Sequence, residues 1–339
     1  MAGKWHLGYD PVEYLPTNRG FDSWLGLPYS NDYLRPYVNT DVPLVIYRDT
    51  EVVEYPVNQD SLTVKYTQEA IRFIKEQKTK GKDTPFFFYL AYNMPHLPLH
   101  TTEEFYGKSN AGLYGDVIET IDWSVGEVLR VLKEEGLDEN TIVYFGSDNG
   151  PWQEAEARMF NKPTVREGSN DKIWERGGNK PWDAGSSGPL RGYKHTTYEG
   201  GPRVPALIRW PGKIKPNGVT DELITHLDLY TTLVKAGGGV LPNYKIDGMD
   251  VMPFLVGDKV SSPRNEYGYF INSLQAIRIG EWKLREVNGK TELYNMQYDA
   301  SEKYNQAEKH PEIVEELRTK MFELAEDVGV KTTAQQPEL

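Results

Sequence analysis

The 339-residue sequence contains no cysteine. The chain therefore has no disulfide, no thiolate metal site and no cysteine nucleophile of its own. It also lacks any apolar run near the roughly 18 residues that a membrane helix needs, since its longest run, Pro85 to Tyr92, has the length of a strand. The first residues show neither the basic stretch nor the apolar core of a signal peptide.

Basic residues are scarce relative to acidic ones. The sequence has 38 lysines and arginines against 50 aspartates and glutamates, which leaves a net charge of −12. Such a balance gives no bulk attraction for nucleic acid or anionic lipid. We therefore expect no nucleic-acid partner and no membrane span, and any anion site must be built locally from a few cations.

Apolar patterning predicts an α/β fold. Phe86–Ala91 and Thr141–Phe145 are continuous apolar runs, typical of strands buried on both faces of a sheet. Apolar residues at helical spacing predict helices over 61–78 and 114–132, the second closed by Gly136. This alternation of helix and strand indicates a largely parallel, mixed sheet flanked by helices.

Further elements follow along the chain, with a strand over 204–210 and a helix over 221–235. Past residue 260, short alternating segments predict a small antiparallel sheet with strands at 267–271, 276–279, 282–287 and 291–294. Asn288 and Gly289 form a hairpin turn between the last two strands. Pro311 then opens a helix, and 331–339 is expected to fray.

A long polar segment, 153–188, has no sustained periodicity. Structureless segments of this length inside a compact domain are usually functional or disordered, so we expect a loop over a site. Trp152, Trp174 and Trp182 lie in or beside it. Their rings suit stacking on a sugar or aryl group, and equally suit ordinary packing.

Polar residues follow both predicted strands at their carboxyl ends, where open α/β sheets place ligands. Asp148 and Asn149 offer oxygen to a hard cation such as calcium, although a pair fills only part of its shell and is also common in strand-end turns. His96 lies between Pro95 and Pro98 in a rigid loop that suits a general acid. Isolated histidines are nonetheless more often structural or exposed.

Two lysines complete a possible constellation. Lys4 and His6 lie two residues apart in a strand-like segment, which predicts that they project from one face. Lys194 lies in a glycine-rich loop. With His96, these residues could hold a tetrahedral oxyanion and move a proton beside a metal half-site. The chemistry indicated is ester hydrolysis at sulfur or phosphorus, and spacing leaves both open.

Four motifs, in order, resemble the type I, formylglycine-dependent sulfatases of the arylsulfatase A-like group in the alkaline phosphatase superfamily. They are GKWHLG at 3–8, PHLP at 95–98, SDNG at 147–150 and LRGYKHTTYEGGPRVP at 190–205. Supporting segments are GFDSWLGLPYSND at 20–32 and ELYNMQYDASEKYN at 292–305. The resemblance implies an alkaline phosphatase-like fold. We expect an N-terminally truncated sulfatase catalytic domain over 1–260 and a C-terminal antiparallel subdomain over 261–330.

The resemblance also implies roles for individual residues. The catalytic and sulfate-binding set would be Lys4, His6, His96 and Lys194, with His195 as a further substrate contact. His96 would protonate the leaving alcohol, and His6 would assist the nucleophile. Asp148 and Asn149 would be two ligands of a calcium ion.

The sequence departs from the family upstream of GKWHLG. There the family carries an acidic pair that completes the metal shell and a Cys/Ser-x-Pro-x-Arg motif, whose first residue becomes formylglycine. This sequence contains neither, and we expect both in a missing N-terminal segment. The full-length protein would then meet a formylglycine-generating enzyme and, by analogy with the family, be periplasmic or secreted.

The resemblance predicts calcium-assisted hydrolysis of a sulfate ester, with a small-molecule or saccharide sulfate as partner. The tryptophans of the long loop favour a carbohydrate sulfate over a simple aryl sulfate. Two alternatives stay open. One is a truncated, non-catalytic sulfate-binding module, because the nucleophile is absent from this sequence. The other is a phosphodiesterase or phosphonate hydrolase of the same superfamily.

Overall fold

The computed structural model describes residues 1–35, 37–81, 84–160 and 178–333, and the chain divides into two compact units. The first unit is Met1–Thr141 with Gln153–Gly185, and the second is Ile142–Trp152 with Ser186–Leu339. The elements of the first unit are β1 (Ala2–Gly3), β2 (Leu25–Gly26), β3 (Ile46–Arg48), β4 (Glu51–Glu54), α1 (Leu62–Lys80), β5 (Leu90–Ala91) and α2 (Gly112–Glu134). Those of the second are β6 (Val143–Gly146), β7 (Ala206–Arg209), α3 (His226–Ala236), α4 (Met252–Leu255), β8 (Glu266–Ile271), β9 (Ser273–Ile279), β10 (Trp282–Val287), β11 (Lys290–Asn295) and α5 (Pro311–Asp327).

The first unit contains a five-stranded mixed sheet in the order β4-β3-β2-β1-β5. β1 is parallel to both β2 and β5, whereas β2–β3 and β3–β4 are antiparallel. Glycine makes the central pairing possible. A Cβ added at Gly3 would lie 1.9 Å from the carbonyl oxygen of Ala91, and one at Gly26 would lie 1.8 Å from that of Gly3.

Both predicted helices of this unit are confirmed, each slightly longer than its apolar pattern. α1 ends at Lys80, and the next residue, Gly81, has a φ of +91°, which glycine adopts easily because it has no Cβ. α1 and α2 pack against each other, and a buried hydrogen bond of 2.5 Å joins the hydroxyls of Thr67 and Ser124. The helical periodicity therefore identified a real pair of packed helices.

The strand predicted over Phe86–Ala91 is wrong in extent. Only Leu90–Ala91 pairs as β5, because β1 offers it partners at Ala2 and Gly3 alone. The preceding phenylalanines do not form a strand buried on both faces, since Phe87 is 63% and Tyr89 49% exposed. An apolar run indicates that a segment tends to be buried. Whether the whole run forms a strand depends on a neighbouring strand of the same length.

In the second unit, β6 pairs antiparallel with β7 in a two-stranded sheet. Both strands were predicted, but β6 is not buried on both faces, since Phe145 is 36% exposed. The helix predicted from Asp221 begins only at His226. Thr225 and Asp228 cap each other's backbone N–H there, which starts the helix at that point.

The small C-terminal antiparallel sheet is confirmed, with strand order β11-β10-β9-β8. Asn288 and Gly289 have φ of 54° and 69°, as a two-residue hairpin turn requires. α5 covers one face of the sheet through a core formed by Leu274, Ile277, Leu284, Leu293, Val314, Leu317, Met321 and Ala325. The C-terminal sheet and α5 therefore share an apolar core of their own.

The chain after α5 stays attached to this sheet as far as it is described. Thr332 is fully buried and bridges Leu274, whose N–H donates to the carbonyl of Lys331. The expected fraying therefore does not begin at Lys331, and 334–339 lies outside the described residues. No helix within the described ranges combines the length and apolar character needed to cross a bilayer.

One buried carboxylate ties the first unit's sheet to α1. Glu69 is 5% exposed and receives hydrogen bonds of 2.5 and 2.8 Å from Arg48 on β3, and one of 2.6 Å from Arg72. Burial alone would raise the pKa of Glu69, but these hydrogen bonds outweigh it and lower the pKa from 4.5 to about 2.

The hydrogen bonds of Glu69 with Arg48 and Arg72 predict how the stability of the chain depends on acidic pH. Because the folded pKa is depressed, the stabilisation from Glu69 is fully present above pH 4.5 and is lost as the pH falls towards 2. Glu69→Gln should lower the free energy of unfolding at pH 7 by about 1–3 kcal/mol and flatten its decline at low pH. Urea unfolding across pH 2 to 7 measures both. Glu76→Gln, at the exposed partner of Arg72, should change stability by about 0.5 kcal/mol or less, and an equal effect there would contradict the assignment.

Candidate active site

In the first unit, the predicted site residues follow two neighbouring parallel strands. Lys4 follows β1, and His96 lies five residues after β5. Gly3 is in register with Ala91, and the N–H of Lys4 donates to the carbonyl of Ala91 at 2.8 Å. Parallel neighbours end at one edge of a sheet, so GKWHLG and PHLP start from the same edge.

The expected strand alternation at Lys4 and His6 is wrong. β1 ends at Gly3, and His6 has a φ of 63°, in the left-handed region that side chains other than glycine rarely adopt. The exposed His6 ring lies edge-on against Tyr29, with centroids 4.2 Å apart. A left-handed turn and an aromatic contact, rather than a strand, therefore orient this imidazole.

Trp5 fixes the same loop through a hydrogen bond and ring packing. Its indole N–H donates to the carbonyl of Tyr14 at 2.7 Å, and its ring packs edge-on against Phe21 at 6.2 Å. It borders the apolar cluster of Met1, Leu15 and Trp24. The packing of Trp5 therefore anchors the loop at a position between Lys4 and His6 in the sequence.

His96 is half-buried, and its loop restrains it. Its N–H donates to the carbonyl of Asn93 at 3.1 Å, while the side-chain oxygen of Asn93 accepts a 2.9 Å hydrogen bond from the buried Tyr66 hydroxyl. Nδ1 of His96 lies 2.6 Å from the carbonyl oxygen of Leu97. A carbonyl can only accept, so Nδ1 carries a proton and Nε2 is the position that exchanges one.

In the second unit, two further motifs are joined through their backbones. Asp148 and Asn149 follow β6, and the N–H of Gly150 donates to the carbonyl of Gly201 at 2.7 Å. The N–H of Lys194 donates to the carbonyl of Pro151 at 2.9 Å. A Cβ at Gly150 would lie 1.8 Å from the carbonyl oxygen of Gly200. The structure therefore brings the SDNG and LRGYKH segments together.

Trp152, which follows the SDNG segment, lies beside two side chains of the LRGYKH segment. The Lys194 ammonium is 5.3 Å from the centroid of the Trp152 ring, within the range of a cation–π contact. His195 is exposed, has a φ of 70°, and its ring lies 6.4 Å from Trp152. Of the other tryptophans, Trp182 is 75% exposed, and Trp174 lies outside the described residues, as do 161–177 of the expected loop.

Asp148 and Asn149 offer part of a cation shell. Asp148 is exposed, while Asn149 donates its Nδ2 hydrogen to the carbonyl of Gly150 at 2.8 Å, which directs Oδ1 away from that bond. Two hard oxygen ligands suit calcium. Within the described ranges, no three histidine, aspartate or glutamate side chains converge as a metal site. The donor chemistry fits the ion, and two ligands are fewer than its shell requires.

A buried ionic cluster supports the segment after Lys194. Lys283, fully buried on β10, lies 2.9 Å from Glu199 and 2.8 Å from Glu302, which are also buried. Tyr269 donates its hydroxyl to Glu199 at 2.9 Å. Burial raises the pKa of Glu302. Burial would also raise that of Glu199, but Lys283 and the Tyr269 hydrogen bond leave it lowered. Glu199 immediately precedes Gly200 and Gly201, so the cluster fixes the turn that contacts Gly150.

Removal of the shared cation should destabilise the second unit strongly. Lys283→Met removes the cation that two buried carboxylates share, although Arg203 remains 4.0 Å from Glu199, and should cost about 3–5 kcal/mol of unfolding free energy. Chemical unfolding of the chain measures it. Lys290→Met, at the exposed start of β11, is the matched control and should be nearly neutral. Adding Glu199→Gln to Lys283→Met should recover part of the loss, and the absence of any recovery would argue against charge as the cause.

The mixed sheet with flanking helices and the small antiparallel C-terminal sheet define an α/β protein of the alkaline phosphatase-like fold. A family model described as sulfatase matches residues 1–240, and one described as N-sulphoglucosamine sulphohydrolase, C-terminal, matches 192–327. The chain belongs to the sulfatase family, as its four motifs predicted.

Individual relatives agree with this assignment. N-acetylgalactosamine-6-sulfatase of Canis lupus familiaris is 36% identical over 294 residues, covering 84% of this chain and 51% of the relative. Human arylsulfatase A is 35% identical over 305 residues, covering 84% and 54%. The chain thus spans about half the length of these curated relatives. A solved Bacteroides thetaiotaomicron structure, described with the metabolism of multiple glycosaminoglycans, has a TM-score of 0.72 at 26% identity, covering 95% of this chain and 78% of its own.

Sequence reasoning missed several residues that shape the site. Tyr29 contacts His6, and Lys283 and Glu302 fix the turn after Lys194. The hydroxyl of Ser30 is buried and makes no hydrogen bond to the described part of the chain. No spacing signal marks these residues, because their partners are distant in sequence. Membership in the segments that support the resemblance was the one hint, since Tyr29 and Ser30 lie in 20–32 and Glu302 lies in 292–305.

Proposed function

We propose that the protein hydrolyses a sulfate ester of a saccharide. The observation that carries this proposal is the position of Lys4 and His96 after adjacent parallel strands, in a chain of the sulfatase family. An ammonium and an imidazole at one sheet edge can neutralise an anion and supply a proton to its leaving group.

The first-unit residues take distinct roles. Lys4 binds a sulfate oxygen, and His96 donates the proton on Nε2 to the leaving alcohol while Nδ1 remains bonded to Leu97. For that step His96 must enter doubly protonated, which the negative charge of the bound sulfate ester favours. His6, held on Tyr29, assists proton transfer at the nucleophile.

In the second unit, Lys194 supplies a further cation for the sulfate, and His195 a further substrate contact. Asp148 and Asn149 would hold a calcium ion, which would supply positive charge beside the anion. Both loops are braced by backbone hydrogen bonds to one another, which supports a shared role.

The nucleophile of the whole protein is proposed to be a formylglycine hydrate from a Cys/Ser-x-Pro-x-Arg motif upstream of GKWHLG. The present sequence does not contain that motif. We propose a formylglycine-generating enzyme as the partner that this modification requires and, by analogy with the family, a periplasmic or secreted location.

A saccharide is the preferred substrate class. The names of relatives point that way, since one is called an N-acetylgalactosamine-6-sulfatase and a structural neighbour is described with glycosaminoglycan metabolism. Trp152, close to Lys194, offers an aromatic face of the kind that packs against sugar rings.

Sulfate binding by this chain tests the anion site without requiring turnover. Titration calorimetry with inorganic sulfate should show binding, and Lys4→Met or Lys194→Met should each weaken it about tenfold or more. Lys290→Met is the surface control and should bind like the parent chain. Equal affinity in all four proteins would show that these lysines do not form the site.

Turnover by a protein that also carries the formylglycine motif tests the role of His96. His96→Gln should lower kcat on N-acetylgalactosamine 6-sulfate by about 10²–10⁴-fold, because a sugar alcohol leaves poorly without a proton. The loss should be much smaller on 4-nitrophenyl sulfate, whose leaving group needs little protonation. His310→Gln, at a partly exposed histidine on the C-terminal subdomain, is the control. Hydrolysis of a phosphate diester but not of a sulfate ester would instead favour the phosphodiesterase alternative.

A further inference from the structure

A tyrosine-lined cleft lies beside His6 in the first unit, and of its lining residues Tyr29 alone has a part in the roles above. Its volume is about 130 Å³, and its lining includes Tyr9, Tyr29, Tyr33 and Tyr47. The β3–β4 hairpin contributes Val52 to the rim, where that side chain is 51% exposed. The cleft is therefore open to solvent on one side and aromatic within.

The aromatic lining is continuous with the proposed site. Tyr29 lies 4.2 Å from His6 and 4.5 Å from Tyr33, measured between ring centroids. Tyr9 lies 6.4 Å from Tyr29. Burial, followed by the neighbouring Tyr33, raises the pKa of Tyr9, so its phenol remains neutral and able to donate a hydrogen bond.

The far wall of the cleft is firmly held. Tyr47 stacks on the fully buried Trp24 with centroids 5.8 Å apart, and Leu25 of β2 pairs with Arg48 of β3. Arg48 is in turn bound to the buried Glu69 on α1. A wall fixed in this way is pre-organised, which lowers the entropic cost of ligand binding.

The lining indicates what the cleft would accept. All of its lining residues are tyrosine, proline, valine or leucine, so no side chain there carries a charge to bind a second sulfate. A cleft of about 130 Å³ is well below the size that drug-like ligands need, and because it is open on one side it can receive one face of a single six-membered ring. A pyranose presents C–H faces to aromatic rings and hydroxyls to phenols, which matches four tyrosines better than a purely apolar group would.

We propose that this cleft binds an uncharged pyranose ring of the sulfated saccharide, next to the sulfate held near Lys4 and His6. The inference rests on the proposed function for the identity of the saccharide. The cleft itself is a separate binding site, and its occupancy by an unsulfated sugar does not require turnover or sulfate binding.

The test uses the chain with three probes: unsulfated N-acetylgalactosamine, inorganic sulfate and 4-nitrophenol. Saturation-transfer NMR and titration should show that N-acetylgalactosamine binds and that Tyr33→Ala weakens it by about five- to tenfold. Tyr33→Phe, which retains the ring, should weaken it less. Tyr298→Ala, at an 81% exposed tyrosine in the second unit, is the matched control and should leave it unchanged.

Val52→Trp provides a variant at an exposed position that does not depend on a core tyrosine. Its larger side chain should occlude the rim and weaken sugar binding while the chain stays folded by circular dichroism. Sulfate binding should survive Tyr33→Ala and Val52→Trp, and sugar binding should survive Lys4→Met. Absence of sulfate binding by the parent chain would count against the proposed function. The sugar titration would still test the cleft, because it does not require sulfate.

Three outcomes would overturn the cleft assignment. The first is the absence of sugar binding by the parent chain, and the second is sugar binding that neither Tyr33→Ala nor Val52→Trp alters. The third is binding of 4-nitrophenol, sensitive to both variants, without binding of N-acetylgalactosamine, which would identify an aryl site instead.

Discussion

Backbone contact at glycine is the constraint on which the candidate residues of each unit depend. In the first unit, Gly3 and Gly26 let β1 lie between β2 and β5, and any Cβ at Gly3 would collide with the carbonyl of Ala91. Because of that pairing, Lys4 and the PHLP loop both follow strands that end at the same edge of the sheet. In the second unit, Gly150 approaches Gly200 in the same manner and joins the SDNG segment to that of Lys194.

Charge is concentrated in a chain that is acidic overall. The net charge of −12 supplies no general attraction for an anion. Individual cations are therefore committed to one task each. Lys283 is buried with two carboxylates and serves the fold, whereas Lys194 lies on Trp152 at the partly exposed end of a loop. Arg48 is likewise a structural cation, and it holds the hairpin that forms one wall of the tyrosine cleft.

The accuracy of the sequence predictions differed between local and non-local features. Helices α1, α2 and α5 and the Asn288–Gly289 hairpin depend on residues close in sequence, and their patterns predicted them well. Strand β5 is shorter than its apolar run, because pairing depends on β1 nearly 90 residues away in the chain. The alternation expected at His6 failed for a similar reason, since the contact with Tyr29 and a left-handed turn decide its direction.

The sequence by itself determined the family and the candidate catalytic residues, because the four ordered motifs keep chemically specific side chains at short, readable spacings. The tertiary structure alone decided which loops meet within each unit, the Lys283 cluster that fixes the turn after Lys194, and the cleft beside His6. These depend on contacts between residues far apart in the chain, among tyrosines, glycines and buried ions whose local patterns are indistinguishable from ordinary packing.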